Sequence, residues 1–214
     1  MTFEEHLRKY LDQKTIDELI ESFNKEEQKA LLLNTNKLSV ERFLSEFPNV
    51  IKHPLVPNAF LYNKNEYDFG KLDYFDLGAY YIQEPSAMLV SYLLNPTKDD
   101  FVLDLCAAPG GKTTMAALMM NNEGQLISND LSSSRAQILL SNIERIGLKN
   151  VIVTNLDFST KYKEFETTFD KIILDAPCSG SGMFRRSQEM KDDWSMEKVL
   201  ANAKIQSQLI EMCS

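Results

Sequence analysis

From residue 84 onward, short apolar runs alternate with helix-patterned stretches, and this alternation limits the possible folds more than any other feature of the chain. Phe101–Cys106, Gln125–Asp130, Val151–Thr154 and Lys171–Asp175 have the length and composition of strands. Pro85–Leu94, Thr113–Met120 and Ser133–Ile146 read as helices, the last stopped by Gly147. Apolar strands separated by helices predict a parallel sheet covered on both faces. The expectation is an α/β, Rossmann-like domain over residues 84–214, preceded by a small helical N-terminal subdomain and connector over residues 1–83.

In that leading part, Phe3, Leu7 and Leu11, then Ile16, Leu19, Ile20 and Phe23, recur at helical spacing, which predicts helix to about residue 33. A further helix is expected from Ser39 to Phe47, capped by Ser39 and stopped by Pro48. Between residues 49 and 80, prolines and glycines punctuate short aromatic pieces, Ala59–Tyr62, Tyr67–Phe69, Tyr74–Phe75 and Ala79–Ile82. These read as short strands or an irregular connector whose rings belong to the core; stacking on bases is the alternative.

Ligands of open α/β sheets bind at the carboxyl ends of the strands. There the sequence places Asp104-Leu-Cys-Ala-Ala-Pro-Gly-Gly-Lys-Thr113, Asn129-Asp130, Asn155-Leu-Asp157 and Asp175-Ala-Pro-Cys-Ser-Gly-Ser-Gly182. A carboxylate after the second strand suits the two hydroxyls of a ribose, and Asp157 suits an adenine amino group. Several carboxylates together repel a triphosphate but favour a cationic sulfonium. Gly110-Gly-Lys-Thr113 imitates a P-loop, yet Cys106 stands where that motif needs glycine, and no GxGxxG is present. The adjacent glycines either admit a ligand close to the backbone or simply make a tight turn. Cys178, pushed out by a stiff Ala-Pro step, is a candidate thiolate, whereas Cys106 and Cys213 read as buried and inert.

Composition removes other classes. Three scattered cysteines and two histidines give neither a disulfide framework nor a metal-ligand cluster, so no metal is expected. No apolar run approaches the ~20 residues of a membrane helix, and the acidic start shows no secretory signal, so a cytoplasmic location is expected. A net charge of −8 is unusual for a nucleic-acid binder. Arg185, Arg186 and Lys191 form the compact basic cluster, readable equally as a phosphate contact or as a solvated helix face.

The two long motifs, with Tyr81-Ile-Gln-Glu-Pro-Ser-Ala-Met88 and Trp194-Ser195, resemble those of the Nop/Sun family of RNA (cytosine-5) methyltransferases, and within it the RsmF type. The resemblance implies S-adenosyl-L-methionine as cofactor and 5-methylcytosine formation, most naturally in 16S ribosomal RNA, through a cysteine–cytosine adduct. It implies that Cys106, Ala107, Ala108, Pro109, Gly110, Gly111 and Lys112 form the cofactor loop. Asp130 corresponds to the ribose acid, Asp157 to the position beside the adenine, Asp175 to the acid at methyl donor and base, and Cys178 to the cysteine assisting product release. The family's attacking cysteine lies in a later Thr-Cys motif that the 214 residues do not contain, and the last strands of the sheet are absent too. The alternative expectation is therefore a truncated, non-catalytic domain that binds cofactor or RNA. A monomer is expected.

Overall fold

The computed structural model describes residues 2–25, 27–184 and 192–213, which fall into two compact units. One spans Gln28–Asp175; the other joins Met1–Glu27 to Ala176–Ser214. The boundary expected at residues 83/84 lies inside the first.

The 28–175 unit holds two sheets. The parallel one is built from β5 (Phe101–Asp104), β6 (Gln125–Asn129), β7 (Val151–Thr154) and β8 (Lys171–Ile173), in the order β7-β6-β5-β8. Helices α5 (Pro85–Leu94), α6 (Gly111–Met119) and α7 (Ser133–Ile146) complete the alternation. β5 is central, and its Val102 and Leu103 are 0% and 3% exposed. Burying each such side chain stabilises the fold by roughly 1.5–3 kcal/mol. Val102, Leu126 and Ile173 form one apolar layer with Ala116, Ala117 and Met120. In register, Asp104 lies opposite Ser128 on β6 and Ile173 on β8. The polar ends of three strands are thereby brought level.

The second sheet corrects the helical reading of the N-terminal part. It is antiparallel, ordered β2-β3-β1-β4, from β1 (Lys29–Leu33), β2 (Ile51–Lys52), β3 (Ala59–Tyr62) and β4 (Tyr80–Gln83). Residues 29–33 are strand, not helix. Ala30–Leu33 are all at most 5% exposed because β1 is central and covered on both faces. A short run buried all round has no period to separate strand from helix. Tyr67–Phe69 and Tyr74–Phe75 form no strands either. A 3-10 turn (Phe69–Lys71) and a short helix, α4 (Asp73–Asp76), occupy that stretch. Phe60, Phe69 and Tyr80 are fully buried, and the Tyr80 hydroxyl donates to Phe69 O at 2.8 Å, so these rings are core. Helix α3 (Val40–Glu46) begins as expected, with Ser39 Oγ accepting from the Arg42 amide.

In the other unit, α1 (Phe3–Leu7) starts with a capping box between Thr2 and Glu5, and α2 (Gln13–Ser22) is capped by Asp12. Phe3 packs edge-on against Phe184 and Trp194, with ring centroids 5.0 and 5.5 Å apart. Its long helix, α9 (Met196–Cys213), follows a short α8 (Phe158–Lys161) of the larger unit in chain order. No described helix is long and apolar enough to cross a membrane.

Candidate functional site

The loop between β5 and α6 is held from several directions. The Ala108 amide donates to Asp130 Oδ2 at 3.3 Å, and Arg135 reaches Ala108 O at 2.7 Å and Asp130 Oδ2 at 3.3 Å. Asn142 donates to Pro109 O at 2.9 Å, and the Ala107 amide to Asn129 O at 2.8 Å. Asp130 Oδ1 also receives the Ser132 amide at 3.0 Å, while its side chain is only 4% exposed. Asp130 therefore sits at the tip of β6, fixed in place beside the loop.

The two glycines have a reason the sequence did not reveal. Gly110 has φ +108°, and a Cβ there would come within 2.9 Å of Leu139 Cδ1. At Gly111 a Cβ would meet Gln83 Nε2 at 2.8 Å and Tyr81 Cε1 at 3.2 Å. The chain's own packing already excludes a side chain at both positions, and Gly110 needs its positive φ as well.

Beneath the loop, Asp104 is fully buried. Thr113 Oγ1 donates to its Oδ2 at 2.7 Å and lies 3.0 Å from Ser128 Oγ, which ties β5, α6 and β6 together. Asp104 Oδ1 has no hydrogen-bond partner. Burial pushes the carboxyl up to about 7, against the Thr113 bond and the Lys112 charge, while Asp175 and Asp130 push it the same way as burial. Lys112 Nζ pairs with Asp175 Oδ2 at 2.6 Å, past the end of β8. Asp104, Asp130, Asp175 and Lys112 thus share one electrostatic neighbourhood at three strand tips.

Asp157 is exposed at the N-terminus of α8, where its Oδ1 accepts from the Ser159 amide at 3.0 Å and hydroxyl at 2.6 Å. Asn129 links the loops after β5 and β7: its Oδ1 accepts from Thr154 Oγ1 and the Leu156 amide, both at 2.8 Å, and its Nδ2 donates to Leu156 O at 3.1 Å. Cys106 is partly buried, with its thiol pushed up to about 11 by burial and by Asp104 and Asp130. Burial likewise raises Cys213 on α9. Cys178 belongs to the other unit and is exposed; in that unit Gln206 donates to the neighbouring Pro177 O at 2.7 Å. Arg185, Arg186 and Lys191 lie outside the described residues.

Sequence reasoning missed Arg135, Asn142 and Ser128 as parts of the site, and it gave Thr113, the last residue of the first motif, no role there. They are ordinary polar residues on helices and strands, and only the fold shows what they touch. A separate cleft of about 380 Å³ is lined by Leu32, Pro57, Tyr92, Met115, Leu118 and Met119 among others, with no charged group and no strand-tip acid. Among the described residues no group of three or more His, Cys, Asp or Glu could hold a metal ion.

Comparison with known proteins shows the family. The family model for 16S rRNA methyltransferase RsmB/F matches residues 91–214, and that for the N-terminal domain of 16S rRNA methyltransferase RsmF matches residues 1–85. Ribosomal RNA small subunit methyltransferase F of Vibrio campbellii is 37% identical over 204 residues, covering 92% of this chain and 43% of the relative. The chain thus spans under half the length of the curated relatives it matches. Among solved structures, a methyltransferase homologue from Pyrococcus horikoshii is 29% identical with a TM-score of 0.71, over 86% of this chain and 65% of that one. NSun6 from the same organism, solved with SFG, is 20% identical with a TM-score of 0.86, over 98% of this chain and 78% of that one, a likeness of fold.

Proposed function

The chain belongs to the 16S rRNA methyltransferase RsmB/F family, and from that premise we propose that it carries the cofactor site of an S-adenosylmethionine-dependent enzyme methylating carbon 5 of a cytosine in 16S ribosomal RNA. The observation that carries this reading is the gathering of Asp104, Asp130 and Asp175 with two cations, Lys112 and Arg135, at and just past the tips of β5, β6 and β8. Acceptors outnumber cations there, and one buried oxygen lacks a donor. Such a donor set fits a polyhydroxylated cation and opposes a polyphosphate.

When bound, S-adenosylmethionine supplies an activated methyl group on a sulfonium. Cys106–Lys112 forms the wall of its site, held by Asp130, Arg135 and Asn142. Asp130 would accept from ribose hydroxyls, and Asp157 would accept from the adenine amino group. Asp175, paired with Lys112, would be the acid at the methyl donor and the target base. A cysteine thiolate adding at carbon 6 of cytosine makes carbon 5 nucleophilic, and loss of the carbon-5 proton then expels the thiol. The target base must leave its stack to be reached. Cys178, three residues beyond Asp175 in the chain, assists that release. Cys106 is unsuited to attack, since a thiol raised to about 11 stays protonated at neutral pH.

Methyl-labelled S-adenosylmethionine incubated with the intact enzyme and 16S RNA tests the proposal. Label recovered as 5-methylcytosine supports it; label on another base or on ribose overturns the assigned chemistry. Calorimetric titration of the 214-residue chain tests the site itself. Failure to bind S-adenosylmethionine overturns the assignment, and binding without transfer leaves a cofactor-binding domain.

A further inference from the structure

Asp104 is the one strand-tip acid with no exposure at all. A fully buried carboxylate is costly unless both oxygens are paired. Here Oδ2 has the Thr113 hydroxyl, while Oδ1 has nothing. The nearest cation, Lys112, is engaged with Asp175 at 2.6 Å, and Arg135 is turned to Asp130 and Ala108 O. The tips of β5, β6 and β8 are thus short of one positive charge, and the buried acid is the group that feels it most.

We propose that Asp104 is a proton-linked counter-charge for the cofactor: the cationic methyl donor binds the form of the site in which Asp104 is ionised, so that binding expels the Asp104 proton into solution. The inference rests on the proposed function and gives Asp104, one of its three acids, a distinct role and a dependence on pH. In the free protein Asp104 is pushed up to about 7, so it is about half protonated at pH 7. A cation brought close favours the ionised form and lowers that value. The groups facing Asp104 are Lys112 and Thr113 from α6, Asp130 after β6, Asp175 after β8 and Cys106 on its own loop. Cys106, raised to about 11, does not titrate between pH 6 and 8.

The sign follows from linkage. Below pH 7 the donor must displace a proton from Asp104, and above it the site is already ionised. With a midpoint of about 7, binding is about tenfold weaker at pH 6 than at pH 8.

Calorimetry of the 214-residue chain with S-adenosylmethionine, at one pH in phosphate and in Tris, counts the protons released. About half a proton per cofactor is expected at pH 7. In Asp104→Asn the release at Asp104 disappears and the pH 6 to 8 affinity ratio shrinks towards one; protons from the cofactor's own amine persist in both proteins. Equal release in both proteins, or equal wild-type affinity at pH 6 and pH 8, overturns the proposal. Should Asp104→Asn not fold, Thr113→Val serves. The Thr113 bond holds the Asp104 value down, so its loss moves the midpoint of the affinity curve upward, and an unmoved midpoint counts against the idea. Absence of any binding overturns the proposed function as well, whereas binding without proton release overturns this inference alone.

Discussion

Replacing Thr113 by valine tests whether the polar knot under the loop holds the sheet tips together. Thr113 is fully buried, and its hydroxyl makes two contacts, to Asp104 Oδ2 at 2.7 Å and to Ser128 Oγ at 3.0 Å. Valine keeps the branched shape and removes both. A buried group deprived of its partner costs about 1–3 kcal/mol, more if it is charged. Asp104 loses the donor to Oδ2 and Ser128 loses a neighbour, so Thr113→Val should destabilise by on the order of 2–4 kcal/mol. The loss should also depend on pH. Below pH 7 Asp104 is mostly neutral, and the bond lost is an ordinary one. Above pH 7 it is mostly ionised, and the bond lost is charge-assisted and worth about 1.5–3 kcal/mol. Urea denaturation of both proteins at pH 5.5 and pH 8 measures this. A destabilisation under about 0.5 kcal/mol, or one larger at the lower pH, would refute the reasoning.

Three further outcomes are expected. Asp104→Asn should flatten the pH dependence of wild-type stability. A carboxyl raised by folding stabilises fully below its unfolded value of 3.8, and that contribution is lost as pH rises through about 7, so thermal melts from pH 5 to 8 should fall less steeply in the variant. Among Gly78, Gly110 and Gly180, changes to alanine should rank by what the new Cβ meets: Gly78, 2.0 Å from Arg145 O, worst; Gly110, 2.9 Å from Leu139 Cδ1, next; Gly180, with nothing within 4 Å, mildest at about 1–2 kcal/mol for its positive φ alone. Any other order in denaturation midpoints contradicts the packing described. Iodoacetamide at pH 8 should modify exposed Cys178 before Cys106, whose raised thiol leaves about one molecule in a thousand as thiolate, and peptide mass spectrometry reads the order.

The parallel half of the fold was legible because its signals are local. Ser133–Ile146 ends at a left-handed Gly147, Pro85 opens a helix that closes at Asn95, and Val151–Thr154 is too short and too β-branched for anything but a strand. The antiparallel sheet was not legible at β1, since Ala30–Leu33 is buried on both faces and carries no alternation. Of the site, Asp130 and Asp175 announced themselves by standing at strand ends. Asp104 ends a strand too, but its weight comes from a burial and an unpaired oxygen that spacing does not encode. Arg135 and Asn142 lie on the helix after β6, and their bonds to Ala108 O and Pro109 O exist only once α7 is laid against the loop.

That arrangement explains why a second sheet accompanies the parallel one. β4 sets Tyr81 and Gln83 against Gly111 so closely that no side chain fits between them, and the Ser91 hydroxyl of α5 donates to Lys112 O at 2.9 Å. From the turn after β1, Asn34 donates to Gly78 O at 3.2 Å and Ile146 O at 3.0 Å, while Lys37 donates to Arg145 O at 2.9 Å, so the end of α7 is anchored as well. The loop from Cys106 to Lys112 is therefore braced by β4 and α5 on one side and by α7 on the other. A loop fixed in this way need not be ordered when a ligand arrives, and the affinity that ordering would consume is retained. The rigid frame also keeps Asp104 buried with an oxygen unpaired. A softer loop would let water in, pair that oxygen and bring the acid back towards its ordinary value, and the coupling between charge and binding would be lost with it.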